Sequence, residues 1–204
     1  IKYGEFARGA VTVLESIDAS GIAAFADRTA TATVATSTAT FLFAVDTPAW
    51  RIAIGGPESG IYDERVPGFG GAWAVLVDLG GSDTYRIAAG GNVAVTNPVS
   101  VLVDLGGRDR YGYVEVPSPL DGPRLVSDAG GRYEPVDAMD GGPVSLSEVP
   151  RQGGARAGVA TVVDLGGDDD RYLSLRLSQG AAAFGAGVLV DDGGDDEYRA
   201  EIMA

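Results

Sequence analysis

Short apolar runs that stop at an aspartate recur along the chain. GIAAFAD ends at Asp27, TFLFAVD at Asp46, AWAVLVD at Asp78, PVSVLVD at Asp104, GVATVVD at Asp164 and GAGVLVD at Asp191; a degenerate LVSD ends at Asp128. Within the runs alternate residues share a face: Val75, Val77 and Leu79; Val101, Val103 and Leu105; Thr161, Val163 and Leu165. Successive terminal aspartates are 19, 32, 26, 24, 36 and 27 residues apart. The intervals carry no 3.6-residue periodicity. After Asp78 come GGSD, the strand TYRIAA, a Gly-Gly corner and VAVTN, or roughly three short strands per repeat. Such a repeat suits stacked coils, each ~4.8 Å above the last. A one-residue slip would turn the apolar set outward, so register is well specified. The predicted fold is all-β: a parallel, right-handed β-helix, or β-solenoid, of about seven coils. It forms one domain over residues 1–204. Residues 1–71 read as degenerate coils, 72–111 as regular coils, 112–156 as a Pro-rich irregular insertion and 157–204 as regular acidic coils. Within the insertion, one poor coil is expected around Asp128 and a protruding loop near 134–156.

Each well-formed run leads into the same turn, Asp-x-Gly-Gly-x-Asp followed by Tyr. It occurs at 75–85, 101–111, 161–172 and 188–198, and in damaged form at 126–133. Gly-Gly permits positive φ and a tight reversal, bringing aspartates five apart toward one concave site. Stacking would place Asp78 beside Asp104 and Asp164 beside Asp191. Carboxylates ~5 Å apart repel by ~0.8 kcal/mol in water and about 3 kcal/mol at an effective dielectric of 20. A cation or an arginine must offset this. Arginines adjoin every motif tyrosine, so an Asp–Arg ladder with ordinary Asp turn capping is one solution. Summed charge differs between turns: −1 over 78–86, zero over 104–111, −3 over 164–172 and −4 over 191–199. The Asp104 turn can balance itself with Arg108 and Arg110. The two C-terminal turns cannot, and they point to metal.

Composition narrows the chemistry. The net charge is −14 with a pI of about 4.2, which argues against nucleic acid and anionic membrane surfaces as partners. With no Cys and no His, thiol nucleophiles, His-based triads and zinc ligation are excluded. A bound metal should be oxygen-liganded, Ca²⁺ first and Mg²⁺ second. No apolar run is long enough for a membrane span. The start at Ile1 reads as a mature or trimmed product. Trp50 and Trp73 are expected to serve packing.

The turns resemble the Ca²⁺-binding β-roll repeats of RTX proteins, in which Gly-Gly-x-Gly-x-Asp turns of neighbouring coils share Ca²⁺. The segment 178–198 is similar to Asp-Gly-Gly-Asp-x-Tyr repeats of uncharacterised secreted bacterial proteins. The likeness covers about 72–111 and 157–199. It departs from the RTX pattern in lacking the third Gly and in its 24–27-residue period. It implies a secreted or cell-surface, Ca²⁺-loaded solenoid with ligands Asp164, Asp169, Asp191 and Asp196, and Asp78 and Asp83 in second rank. The leading expectation is a structural protein without catalytic residues, whose ends pair into a filament or surface assembly. The alternative is a carbohydrate-active or carbohydrate-binding β-helix. Like a polysaccharide lyase, it would use the 112–160 insertion, with Arg132 or Arg151 as the basic group.

Overall fold

A computed structural model describes residues 34–35, 39–92, 94–112, 134–135, 143–144, 149–174 and 176–200. The expected strands form where apolar alternation meets a Gly-rich turn. They are β1 (Val34–Ala35), β2 (Thr40–Asp46), β3 (Arg51–Gly55), β4 (Ile61–Asp63), β5 (Trp73–Asp78), β6 (Thr84–Arg86), β7 (Val99–Asp104) and β8 (Arg110–Tyr111). After them come β9 (Glu134–Pro135), β10 (Pro143–Val144), β11 (Val159–Asp164), β12 (Arg171–Leu173), β13 (Ala186–Asp191) and β14 (Glu197–Arg199). One sheet has the order β1-β2-β3-β5-β7-β11-β13, and a second has the order β14-β12-β8-β6-β4. From β3 onward both are parallel, and the chain winds from one to the other as a β-solenoid of about 4 turns. Asp78, Asp104, Asp164 and Asp191 stand in direct register, as do Tyr62, Tyr85, Tyr111, Tyr172 and Tyr198.

The strand ending at Asp46 is not a coil. β2 runs antiparallel to β3, because Thr47 closes a tight hairpin: its N–H and hydroxyl both donate to the Trp50 carbonyl. The expected coils at Asp27 and Asp128 lie outside the described residues. Of the irregular insertion, β9 and β10 pair antiparallel, and residues 149–156 are also described, with Arg151 and Ala155 bridging to neighbouring coils.

The aliphatic columns form as the alternation predicts. Val75, Val101 and Thr161 align, as do Val77, Val103 and Val163. Val77, Val101 and Val103 make one buried cluster with Val75, Leu79, Leu105 and Leu165 against it. The larger core is on the opposite face. There Leu76, Leu102 and Val162 pack against Tyr62, Tyr85, Tyr111 and Tyr172. Burial on both faces is the usual condition of a parallel sheet. Trp73 is enclosed, donating its indole N–H to the Phe69 carbonyl, whereas Trp50 is exposed.

A third side of each coil is made by 88–92, 151–155 and 178–182, linked by bridges at Asn92–Ala155, Ala155–Ala182 and Arg151–Ser178. Residues 113–148 therefore enter after β8 and leave before this third side. Their entry does not disturb the pairing of β7 with β11.

Candidate metal centre

The strand-end aspartates share parity with Leu76, Leu102 and Val162, so they point into the coil. Asp78, Asp104 and Asp164 are fully buried. Each uses one oxygen to accept the N–H of the glycine two residues on: Gly80, Gly106 or Gly166. Asp191 does the same with Gly193. The other oxygen accepts a phenol. Tyr62 donates to Asp78 and Tyr85 to Asp104; Tyr111 donates to Asp164 at 2.7 Å. In each case the tyrosine belongs to the preceding coil. The pattern then changes: Tyr172 donates to its own coil's Asp164 at 3.1 Å and Tyr198 to its own Asp191 at 2.7 Å. The five rings form one stack, with centroids 4.6–5.0 Å apart and planes within 13° of parallel.

A second column lies two residues before each tyrosine: Asp83, Asp109, Asp170 and Asp196. Each accepts the main-chain N–H at the same position of the preceding coil. Asp83 accepts from Gly60 at 2.5 Å, Asp109 from Asp83 at 2.6 Å, Asp170 from Asp109 at 2.6 Å and Asp196 from Asp170 at 2.9 Å. The remaining oxygen, Oδ2, of Asp83, Asp109 and Asp170 is buried without any hydrogen-bond partner. These three side chains are at most 3% exposed. Buried polar atoms are normally satisfied, so three orphans in one column call for an explanation. In the first coil Gly55 and Gly60 stand where these two columns would continue, so the acids begin at Asp78.

Together the columns make three groups whose ligand atoms lie within 4.8 Å of one another: Asp78, Asp83 and Asp104; Asp104, Asp109 and Asp164; Asp170, Asp191 and Asp196. Each group includes one of the three aspartates that carry an orphan oxygen. Of the residues expected from sequence, Asp78, Asp83, Asp164, Asp191 and Asp196 fall in these groups. Asp169 does not. It is half exposed, pairs with Arg108 at 2.8 Å and accepts the Asp195 N–H. Asp170 takes its place, because this turn carries one residue more between Asp and Tyr than the others. Counting back from the tyrosine rather than forward from the aspartate would have found it. Asp104 and Asp109 also belong to these groups, although along the sequence Arg108 and Arg110 balance their charge. In space the arginines face away. Arg110 is exposed beside buried Tyr111, and Arg171 and Arg199 both pair with Glu197. Strand alternation puts Tyr inside and Arg110, Arg171 and Arg199 outside, and Arg108 pairs with Asp169 at the surface, so these arginines do not neutralise the column.

The electrostatics follow from burial without a counter-charge. Burial pushes Asp78 up to about 6. Burial, then the neighbouring Asp78, pushes Asp83 up to about 8. Asp104 and Asp109 are both raised, first by burial and then by the surrounding carboxylates. Burial raises Asp164 and takes Asp170 up to about 7. The phenols of Tyr62, Tyr85, Tyr111 and Tyr172 are driven upward by burial and the adjacent carboxylates, and they stay protonated as donors. Such a column needs either protons or cations. Its donor set of carboxylate oxygens with no nitrogen or sulfur suits a hard divalent ion.

Arg151, one of the two basic residues considered for carbohydrate chemistry, is enclosed and bonded to Glu64 at 3.0 Å; Arg132 lies outside the described residues. Among the described residues no helix is long and apolar enough to cross a membrane. No family model, curated protein or solved structure matches the chain.

Proposed function

We propose that this chain is an extracellular structural β-solenoid of right-handed winding, held along its turn column by Ca²⁺ and stacking end to end into a filament or surface assembly. The carrying observation is that each of three aspartate groups includes a residue with a buried carboxylate oxygen that has no partner. An ion satisfies that oxygen and the surrounding charge together. Ca²⁺ is favoured over Mg²⁺ because it tolerates irregular oxygen shells, whereas Mg²⁺ demands near-ideal octahedra. Right-handed winding follows the general handedness of parallel crossovers. Secretion is supported by the likeness to RTX turns, and the cysteine-free composition is compatible with it. Stacking is supported by β13 and β14, which among the described residues each have a neighbour on one side only. Unpaired parallel edges are templates for further strands.

Two measurements test this reading. Melting is followed with excess Ca²⁺ and with EDTA, alongside calorimetric titration of Ca²⁺. A lower melting temperature in EDTA and measurable binding are expected; identical melting with no heat of binding would end the metal reading. Electron microscopy at high protein concentration tests assembly, and monodisperse short particles would count against a filament.

A further inference from the structure

The three groups are not equivalent. Asp104 belongs to both of the first two, while the third shares no residue with either. Resting on the cation reading above, we infer that Asp104 is a bridging ligand. It joins two adjacent ions into one buried unit, and the third ion, at Asp170, Asp191 and Asp196, binds independently.

Connectivity, charge and burial each support this division. The first two groups follow one rule: strand-end Asp and second Asp of one coil, then the strand-end Asp of the next. That rule makes the strand-end Asp of the middle coil common to both. It breaks at the turn that carries the extra residue, where the Tyr172 phenol bonds back to Asp164 of its own coil. The third group accordingly takes its strand-end Asp from the last coil, together with two second-column residues. Charge is consistent with the count. Asp78, Asp83, Asp104, Asp109 and Asp164 carry −5 when ionised, against +4 for two divalent ions; the third group carries −3 against +2. Each unit therefore keeps one negative charge, with no arginine required. Coils are ~4.8 Å apart, and Asp104 lies within 4.8 Å of the ligand atoms of both groups, so its carboxylate is placed to serve a site on either side. All five aspartates of the first unit are fully buried or nearly so, while Asp191 and Asp196 of the third group are only half-buried.

The test is the number of ions each variant holds. Ca²⁺ per chain is counted by native mass spectrometry and by Tb³⁺ luminescence sensitised by the adjacent tyrosines, with circular dichroism to confirm folding. Wild type should hold three ions, Asp196→Asn two and Asp104→Asn one. Asp169→Asn, altered outside the column, should keep all three. Loss of a single ion in folded Asp104→Asn would overturn the bridge while leaving the metal reading intact. A wild type that takes up neither Ca²⁺ nor Tb³⁺ would overturn both. Should Asp104→Asn fail to fold, Asp83→Asn decides. A bridge predicts loss of the first ion and at least a threefold change in affinity at the second, with the third unmoved. Affinity at the second site unchanged within twofold would sink the bridge.

Discussion

At the scale of residues, the molecule turns on where each aspartate's second oxygen goes. Asp104 receives a phenol from Tyr85, whereas Asp164 receives two, from Tyr111 and Tyr172. Tyr85→Phe should therefore cost ~1–3 kcal/mol and more than Tyr111→Phe, whose aspartate keeps a second donor; urea unfolding in EDTA reads the order. The orphan oxygens set the pH response of the metal-free protein. Asp83 titrates at about 8 when folded, above its ordinary 3.8, so folding takes up a proton between those values. The stabilisation is fully present below about 4 and is lost as pH rises through 8. In EDTA the melting temperature should fall between pH 5 and pH 8.5, and added Ca²⁺ should restore it at pH 8.5. A flat or rising profile in EDTA would contradict the assignment. Much of this was visible in the bare sequence, since the strand-end aspartates and their register follow from the motif. The inserted residue that moves the role from Asp169 to Asp170 was not, because a five-residue spacing survives the insertion. Nor was the service of the tyrosines: three of the phenols reach the next coil's aspartate, which no local motif encodes.

At the scale of elements, the Gly-Gly turns stack as closely as the strands do. Gly107 has φ of 129°, and a Cβ there would overlap the Gly81 carbonyl of the neighbouring turn. Gly167 also has positive φ, at 80°, but nothing lies within 4 Å of its Cβ position. Gly167→Ala should cost ~1–3 kcal/mol from backbone conformation. Gly107→Ala should cost a further ~1–3 kcal/mol from overlap with a rigid backbone. Equal melting temperatures for the two variants would show that the turns are not in contact. The Gly-Gly signal thus reports both bending and packing, and sequence alone cannot separate them. The strands, and from β3 onward their parallel stacking, were legible from the repeat, but the reversal at β2 was not. β2 ends in Asp like a coil strand, yet it runs antiparallel because of the hairpin that follows it. An apolar run ending in Asp is therefore not sufficient for a coil, and β3, which ends at Gly55 and pairs parallel with β5, shows that it is not required either. The Gly-Gly after the Asp is what distinguishes β5, β7, β11 and β13 from β2.

At the scale of the whole molecule, the ladder is continuous where the chain is not. Asp104 and Asp164 are 60 residues apart, yet they pair as directly as Asp164 and Asp191. Tyr111 and Tyr172 stack at 4.6 Å with planes 3° apart. Sheet pairing, the tyrosine stack and the aspartate column all run across this joint. A protease site engineered within 113–148 should therefore yield two fragments that co-elute in size exclusion in Ca²⁺. Separation of the fragments without denaturant would show that the connection itself holds the halves together. The joint between β8 and the third side of the coil is in effect a docking bay. Sequence can be added, exchanged or decorated there while the tower beside it keeps its height, its floor spacing and its wiring.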